Sequence, residues 1–293
     1  MRLKGTWEIL SRLVLVSVVV LNYKNPQLTE KCVTDVRDSS TEAKIPVQVI
    51  VVDNSASETA VRLRHLLPKD TQIIENQCNL GFSGGNNQGI LASRGEYILI
   101  LNNDVFVNAN CLKTGVQYME EHPEVGIWAP RLTSEEGRLQ VSAARFPSLK
   151  GLFAEYILSW NYDWYPAYLA SSPVPREVDT AIAACWLLRR AVVAEAGFLD
   201  ERFFFNAEDI DYCKRIWHAG FSVVYDPRCS AIHLVGQSQN TRSWRQNHYL
   251  HRSRVIYFRK HHGPIAALLA FWIIGFGLAL RRFSGVLHRS LPA

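Results

Sequence analysis

The chain contains no CxxC pair and no other cysteine spacing typical of a metal site, although it has six cysteines: Cys32, Cys78, Cys111, Cys185, Cys213 and Cys229. Several lie inside apolar runs, so they read as reduced core thiols of a cytosolic protein and not as a disulfide framework. Neither a GxGxxG fingerprint nor a P-loop occurs, which removes the generic nucleotide motifs and disfavours a Rossmann dehydrogenase. Internal repeats and low-complexity tracts are also missing. No nucleic-acid-binding motif accompanies the basic residues, so nucleic acid is not an expected partner. Finally, no small-residue cleavage site follows the apolar run Leu13–Leu21. That run ends in Asn22-Tyr23, as a buried first strand does, and reads as a strand and not as a leader peptide.

What is present describes a folded protein. Of the 293 residues, 48% are apolar and 20% charged, enough core-forming material for one large or two small domains. The net charge of +5 is unevenly spread, with Arg242, Arg245, Arg252, Arg254, Arg259, Lys260, Arg281, Arg282 and Arg289 crowding the end of the chain. Such a cluster suits an anionic surface such as a membrane.

Four short runs, Leu15–Leu21, Val47–Val52, Thr71–Ile74 and Tyr97–Leu101, are rich in Val and Ile without polar alternation. This is the pattern of strands buried on both faces of a parallel sheet, and it predicts an α/β fold. Each run ends in polar residues: Asn22-Tyr23, Asp53-Asn54, Glu75-Asn76 and Asn102-Asn103-Asp104. In an open α/β sheet ligands bind beyond the carboxyl ends of the strands, so these residues are expected to converge on one crevice. A stretch from about 137 to 175 lacks periodicity and is dense in aromatics, including Phe146, Phe153, Tyr156, Trp160, Trp164 and Tyr168. Helices are expected around Arg190–Ala196 and over Glu208–His218, the latter stopped by Gly220, with strands at Phe221–Tyr225 and Ala231–Val235. The run Ile265–Leu280 is apolar on all sides and would extend about 24 Å as a helix, short of a comfortable ~30 Å span.

Each candidate residue carries both a structural and a chemical reading. Asp53 caps a turn or accepts hydrogen bonds from a base or ribose. In "NLGFSGGNNQG", Gly84 and Gly85 with Asn86 and Asn87 form a plain glycine turn, or a loop that brings backbone to a phosphate and opens a helix ending at Gly95. Asp104 ends a strand, or it holds Mg²⁺ or Mn²⁺ against a diphosphate. Glu208 and Asp209 stabilise a helix N-terminus behind an Asn206 cap, or Asp209 acts as general base with a pKa raised by burial near Phe203–Phe205. Asp211 and Arg215 form an i,i+4 pair. His233 is a core histidine or a further metal or diphosphate ligand.

Taken together, "SVVVLNYKN", "VVDNSAS", "NLGFSGGNNQG", "GEYILILNNDV", "GFLDERFFFNAEDIDYCKRIWHAGFSVVYDP" and "HLVGQS" resemble, in order and spacing, the family 2 inverting glycosyltransferases, in their bacterial rhamnosyltransferase-like branch. The resemblance covers roughly residues 15–262. It implies a GT-A fold, a mostly parallel sheet flanked by helices, over 1–245. Within it lie a donor-binding half (about 13–135), an aromatic acceptor-side insert (about 137–175) and a catalytic half (about 176–245). A basic and apolar membrane-associating segment, 246–293, follows. The implied donor is a nucleoside-diphosphate sugar, with dTDP-rhamnose favoured, bound by Asn22, Tyr23, Asp53, Asn54, Gly84, Gly85, Asn86, Asn87, Asn102, Asn103, Asp104, Ala183 and Glu208. Asp104 would be the last acid of a DxD-type motif, His233 the late metal-site histidine, and Asp209 the catalytic base.

The implied acceptor is a saccharide or lipid-linked saccharide, and the implied location is peripheral, at the cytoplasmic face of the inner membrane. Asn102 stands where a full DxD has its first acid, and Ala183 where this branch commonly has a glycine. "QNTRSW" misses the QxxRW of processive synthases by one residue. The rival readings are a nucleotidyltransferase and a non-catalytic sugar-nucleotide-binding scaffold.

Overall fold

Strands rich in Val, Ile and Leu, covered on both faces except at one partly exposed edge strand, build the first half of the molecule. They are β1 (Val16–Asn22), β2 (Val47–Asp53), β3 (Gln72–Glu75) and β4 (Tyr97–Asn102), within one or two residues of the runs expected. The structure, a computed structural model, describes residues 15–55, 59–159, 173–234 and 244–283. The four strands pair in parallel in the order β3-β2-β1-β4. Alternation sends Val16, Val18 and Val20 into one core layer and Val19 into the other. The crossovers are helices α1 (Pro26–Ala43), α2 (Thr59–Leu66) and α3 (Gly81–Ala92). The Asn25 side chain caps α1 by accepting from the Leu28 N–H, with Pro26 at the first helical position.

The second half runs β5 (Val105–Phe106), α4 (Ala109–Glu121), β6 (Val125–Thr133), β7 (Leu139–Gln140), β8 (Ala143–Ala144), α5 (Leu149–Ile157), β9 (Arg176–Glu177), β10 (Thr180–Ala181) and β11 (Cys185–Arg189). It continues with α6 (Arg190–Ala196), α7 (Glu208–His218), β12 (Ser222–His233) and α8 (Trp244–Phe283). The sheet extends β4-β11-β6-β12-β5, with β11 antiparallel to both neighbours. β7 and β9 add to its edges, and β8 pairs with β10 apart from it. The α/β expectation therefore holds, and the polar strand ends gather at one edge.

Three expectations are corrected. The two strands expected at 221–225 and 231–235 are one, β12, which stays paired to β6 through a register shift between Asp226 and Ser230. Buried Asp226 organises that irregularity by accepting from Trp128 Nε1 (2.9 Å) and pairing with Arg228 (2.6 Å). The apolar segment 265–280 is part of the much longer α8, which kinks at Gly263-Pro264. The division at 245/246 is not a packing boundary, since Tyr257 and Phe258 of α8 share a core with Leu152, Tyr156 and Phe203. Trp160, Tyr162, Trp164, Tyr165 and Tyr168 of the aromatic insert lie outside the described residues, as do 239–243 of "QNTRSW".

Candidate active site

Strand register assembles the first station. It sets Asn22 beside Asp53 and Leu21 beside Asn102. Asn22 is fully buried, and its Nδ2 donates to Asp53 Oδ1 (2.8 Å) and Ser55 Oγ (3.2 Å). Asp53 Oδ1 also accepts from the Ser55 N–H and hydroxyl, while the buried Oδ2 has no hydrogen-bond partner among the described residues. Thr29 Oγ1 donates to Asn22 Oδ1 (2.7 Å) and accepts from Asn103 Nδ2 (3.0 Å). One buried polar chain thus links Asp53 to the 102–104 turn. Asn22 and Asn103 brace this chain, which leaves Asp53 Oδ2 as the acceptor on offer. Asn54 is equally committed, donating to the Gly81 carbonyl and accepting from Asn76. Tyr23 is half-buried beneath the Lys24 ammonium, 5.2 Å from its ring.

The glycine stretch is not a loop opening a helix at Asn86. Helix α3 begins at Gly81, which places Gly84, Gly85, Asn86 and Asn87 in its first two turns. A Cβ on Gly85 would run into Leu21, and one on Gly89 into Val19, so these glycines let the helix lie against β1. Asn87 donates to the Leu199 carbonyl and Glu201 and accepts from the Leu199 N–H, tying α3 to the segment before α7. Asn86 donates to the Phe82 carbonyl and leaves a buried Oδ1 without a partner.

At the second station, Asp104 Oδ1 and His233 Nε2 face each other at 3.6 Å. β5 pairs with the end of β12, and the Leu234 N–H donates to the Asp104 carbonyl. Gln140 Nε2 donates to the His233 carbonyl (2.8 Å), so its Oε1 receives the ring proton on Nδ1 (2.9 Å). That arrangement turns the Nε2 lone pair toward Asp104, and burial holds the imidazole pKa below its usual value. A carboxylate oxygen and a neutral imidazole, fixed by a hydrogen bond behind the ring, fit a divalent cation that takes its remaining ligands from phosphate and water. Among the described residues, no group of three His, Cys, Asp or Glu forms a closed metal cage. Asn102 ends β4, its N–H bonded to the Ala184 carbonyl.

That bond leads to the third station. Ala183, buried beside Ala184, brings its backbone N–H close enough to the Asp209 carboxylate to favour its charge, and that carboxylate accepts from the Ile210 N–H (2.8 Å). Burial outweighs these donors and pushes the Asp209 pKa up to about 6. Glu208 is more deeply buried, with Oε2 unpartnered, and burial together with the Asp209 charge pushes its pKa well up. The expected Asn206 cap is corrected: α7 starts after Ala207, both Asn206 and Ala207 have positive φ (68° and 66°), and no side chain caps the helix. The acids therefore open α7 from a strained turn.

Sequence reasoning missed what holds this helix. Asp211 is fully buried, and besides Arg215 (3.0 Å) it binds Lys260 (2.7 Å) and His261 (2.8 Å) of α8. Lys260 also reaches Asp200 (2.7 Å). Thr29, Ser55 and Gln140 were missed as well. Each is an ordinary polar residue whose role appears only through strand register or chain reversal.

These stations can be set against known proteins. The glycosyl transferase family 2 profile matches residues 17–197. The chain is 27% identical over 222 residues to the low-salt glycan biosynthesis hexosyltransferase Agl10 of Haloferax volcanii, covering 74% of this chain and 66% of that protein. It is 25% identical over 253 residues to the N-acetylglucosaminyl-diphospho-decaprenol L-rhamnosyltransferase of Mycobacterium tuberculosis H37Rv, covering 80% and 82%. The mannosyltransferase PcManGT from Pyrobaculum calidifontis, solved in complex with GDP-Man and Mn²⁺, superposes with a TM-score of 0.59 at 16% identity, over 94% of this chain and 76% of that one. The chain belongs to glycosyl transferase family 2, in its rhamnosyltransferase-like branch, and its fold is GT-A.

Proposed function

We propose that the chain is an inverting transferase moving a sugar, L-rhamnose from dTDP-rhamnose, to a hydroxyl of a saccharide or lipid-linked saccharide. The observation that carries this reading is Asp209, a half-buried carboxylate with a raised pKa, joined through Ala183–Ala184 to the Asn102–Asp104 turn. Asp209 takes the proton of the acceptor hydroxyl as that oxygen bonds to the anomeric carbon, and the bond from that carbon to the diphosphate breaks on the opposite face. The transition state is oxocarbenium-like.

Asp53 Oδ2, buried and open to a donor, suits an N–H of the nucleotide base. Asp104 and His233 would hold a divalent cation, which supplies charge stabilisation at the departing diphosphate. The similarity to an N-acetylglucosaminyl-diphospho-decaprenol L-rhamnosyltransferase supports the choice of sugar and a lipid-linked acceptor. Such an acceptor places the enzyme at the cytoplasmic face of the inner membrane. The experiment is Asp209→Asn, with dTDP binding by calorimetry beside transfer to acceptor. Binding should persist while transfer falls by on the order of 10²–10⁴. Loss of both would make Asp209 structural.

A further inference from the structure

The second half of α8, after the kink, presents an apolar face to solvent: Ile265, Leu268, Phe271, Trp272, Phe276 and Leu280 are each more than 40% exposed. By length and composition alone, His248–Arg281 could cross a membrane. Three features of its packing argue otherwise.

The first is the kink. The guanidinium groups of Arg254 and Arg281 both lie over the ring of Tyr156, at 5.1 and 5.4 Å. In a straight helix those two residues would be about 40 Å apart. α8 therefore folds back on itself at Gly263, whose φ of 86° suits glycine, and Pro264, which needs no N–H partner at the start of a helix.

The second is lateral fastening. Ala267, Ala270, Ile274 and Gly277 are buried at spacings of three and four, which is one stripe of a helix. That stripe rests on α5, and a Cβ on Gly277 would come within 2.7 Å of Tyr156 Cβ and its carbonyl oxygen. The third is what α5 carries. Lys150 is exposed and Glu155 is paired to Arg254 at 2.8 Å. A span fastened in this way would carry both residues into hydrocarbon, where ionised side chains are costly.

We infer that the second half of α8 lies in the plane of an anionic bilayer as a monotopic helix, apolar face down, and does not cross it. This rests on the membrane-borne acceptor of the proposed function and specifies how the enzyme meets that surface. Phe153 (46% exposed) and Leu158 (61%), on and beside the helix α5 on which that segment rests, add further exposed apolar side chains. Exposed Arg252 and Arg259, seven residues apart on the first half of α8, supply cationic groups suited to acidic headgroups. The indole of Trp272 suits the headgroup boundary.

The test uses the full chain in a Cys78→Ser background, with single nitroxide labels on cysteines introduced at 265, 268, 272, 276 and 280. It is floated with vesicles of mixed phosphatidylglycerol and phosphatidylcholine and, separately, with phosphatidylcholine alone. Flotation should require phosphatidylglycerol. Label depths should oscillate with the helical period within about 5–10 Å of the headgroups, without drift along the segment. A steady change in depth over the ~22 Å between 265 and 280 would establish a span and overturn the inference. So would failure to float, or a soluble dimer that protects these positions. Phe271→Glu with Trp272→Glu should cut the vesicle-bound fraction about tenfold or more. Calorimetric dTDP binding by the same samples reads the transferase site separately: its loss would count against the proposed function, and loss of flotation alone against the in-plane helix.

Discussion

Asp209 admits two physical descriptions with opposite consequences for stability, and Asp209→Asn separates them. As a first-turn acid it would stabilise α7 through the helix dipole by roughly 0.3–1 kcal/mol, and its loss would destabilise the protein. As a desolvated base it does the reverse. Its pKa rises from 3.8 in the open chain to about 6 in the fold. At 1.36 kcal/mol per pH unit, that is a penalty of about 3 kcal/mol on the folded state.

The sign follows from proton affinity. Between pH 3.8 and about 6 the folded state binds more protons than the unfolded one, so stability falls as pH rises across that window and stays low above it. Asparagine removes the penalty and forfeits the dipole term, for a net gain of about 2 kcal/mol at pH 7.5. In a chain of this size the midpoint of thermal unfolding should rise by about 3–4 °C. Below pH 4 the gain should shrink toward zero. The assay is thermal unfolding of both proteins at pH 7.5 and pH 4. A lower midpoint for Asp209→Asn at pH 7.5 would refute the desolvated base and restore the capping role.

The same titration should appear in catalysis: kcat/KM for transfer should fall as pH drops through about 6, because the base must be ionised to accept a proton, and a rate flat to pH 5 would contradict it. Gln140→Leu removes the acceptor that orients His233, so Mn²⁺-dependent dTDP affinity should weaken by about 10–100-fold, and unchanged affinity in a metal titration would remove His233 from the site. Asn22→Ala removes the buried hydrogen bonds that the Asn22 amide makes to Asp53, Ser55 and Thr29 and should cost about 1–3 kcal/mol, read as a lower urea midpoint at unchanged slope.

β1, β2 and β4 were legible because residues buried on both faces leave a nearly unbroken run of Val, Ile and Leu. Asp53, Asp104 and Asp209 were legible as strand-end and helix-start acids. The glycine stretch was misread because its composition suits a phosphate loop as well as a packed helix. Gly81, Gly85 and Gly89 recur every four residues, however, which is the spacing of one helix face, and Gly85 and Gly89 lie against β1. That period was the available signal. Thr29, Ser55 and Gln140 gave none. Gln140 lies 93 residues from the histidine it orients, and Ser55 lies 33 from the asparagine it meets, so only register brings them together. β12 escaped because Asp226-Pro227 reads as a turn, and only the buried Trp128 and Arg228 contacts show why the strand continues.

The turn that presents Asp209 is unstable on its own terms, and its support explains why the end of the chain belongs to the transferase. A left-handed alanine costs roughly 1–2 kcal/mol, and here Asn206 and Ala207 are left-handed in succession. Three carbonyls just before them are held by other elements. Phe203 accepts from Ser83 Oγ (2.8 Å) and Phe204 from the Phe82 N–H (2.9 Å), both on α3, while Phe205 accepts from Ser253 Oγ (3.2 Å) on α8. Phe204 also stacks on Tyr249 of α8 at 4.8 Å. Behind the turn, Lys260 and His261 grip Asp211, two residues beyond the Asp209 carboxylate.

The first half of α8 thus buttresses Asp209, and the second half, past the kink, carries the apolar face. Deleting α8 would remove both the apolar face proposed to meet the membrane and the support of Asp209, and would leave a charged Asp211 beside Arg215 alone. Loss of activity on truncation therefore carries no information about the membrane. Only substitutions on the exposed face beyond Gly263, which touch nothing that holds α7, separate where the enzyme works from whether it works.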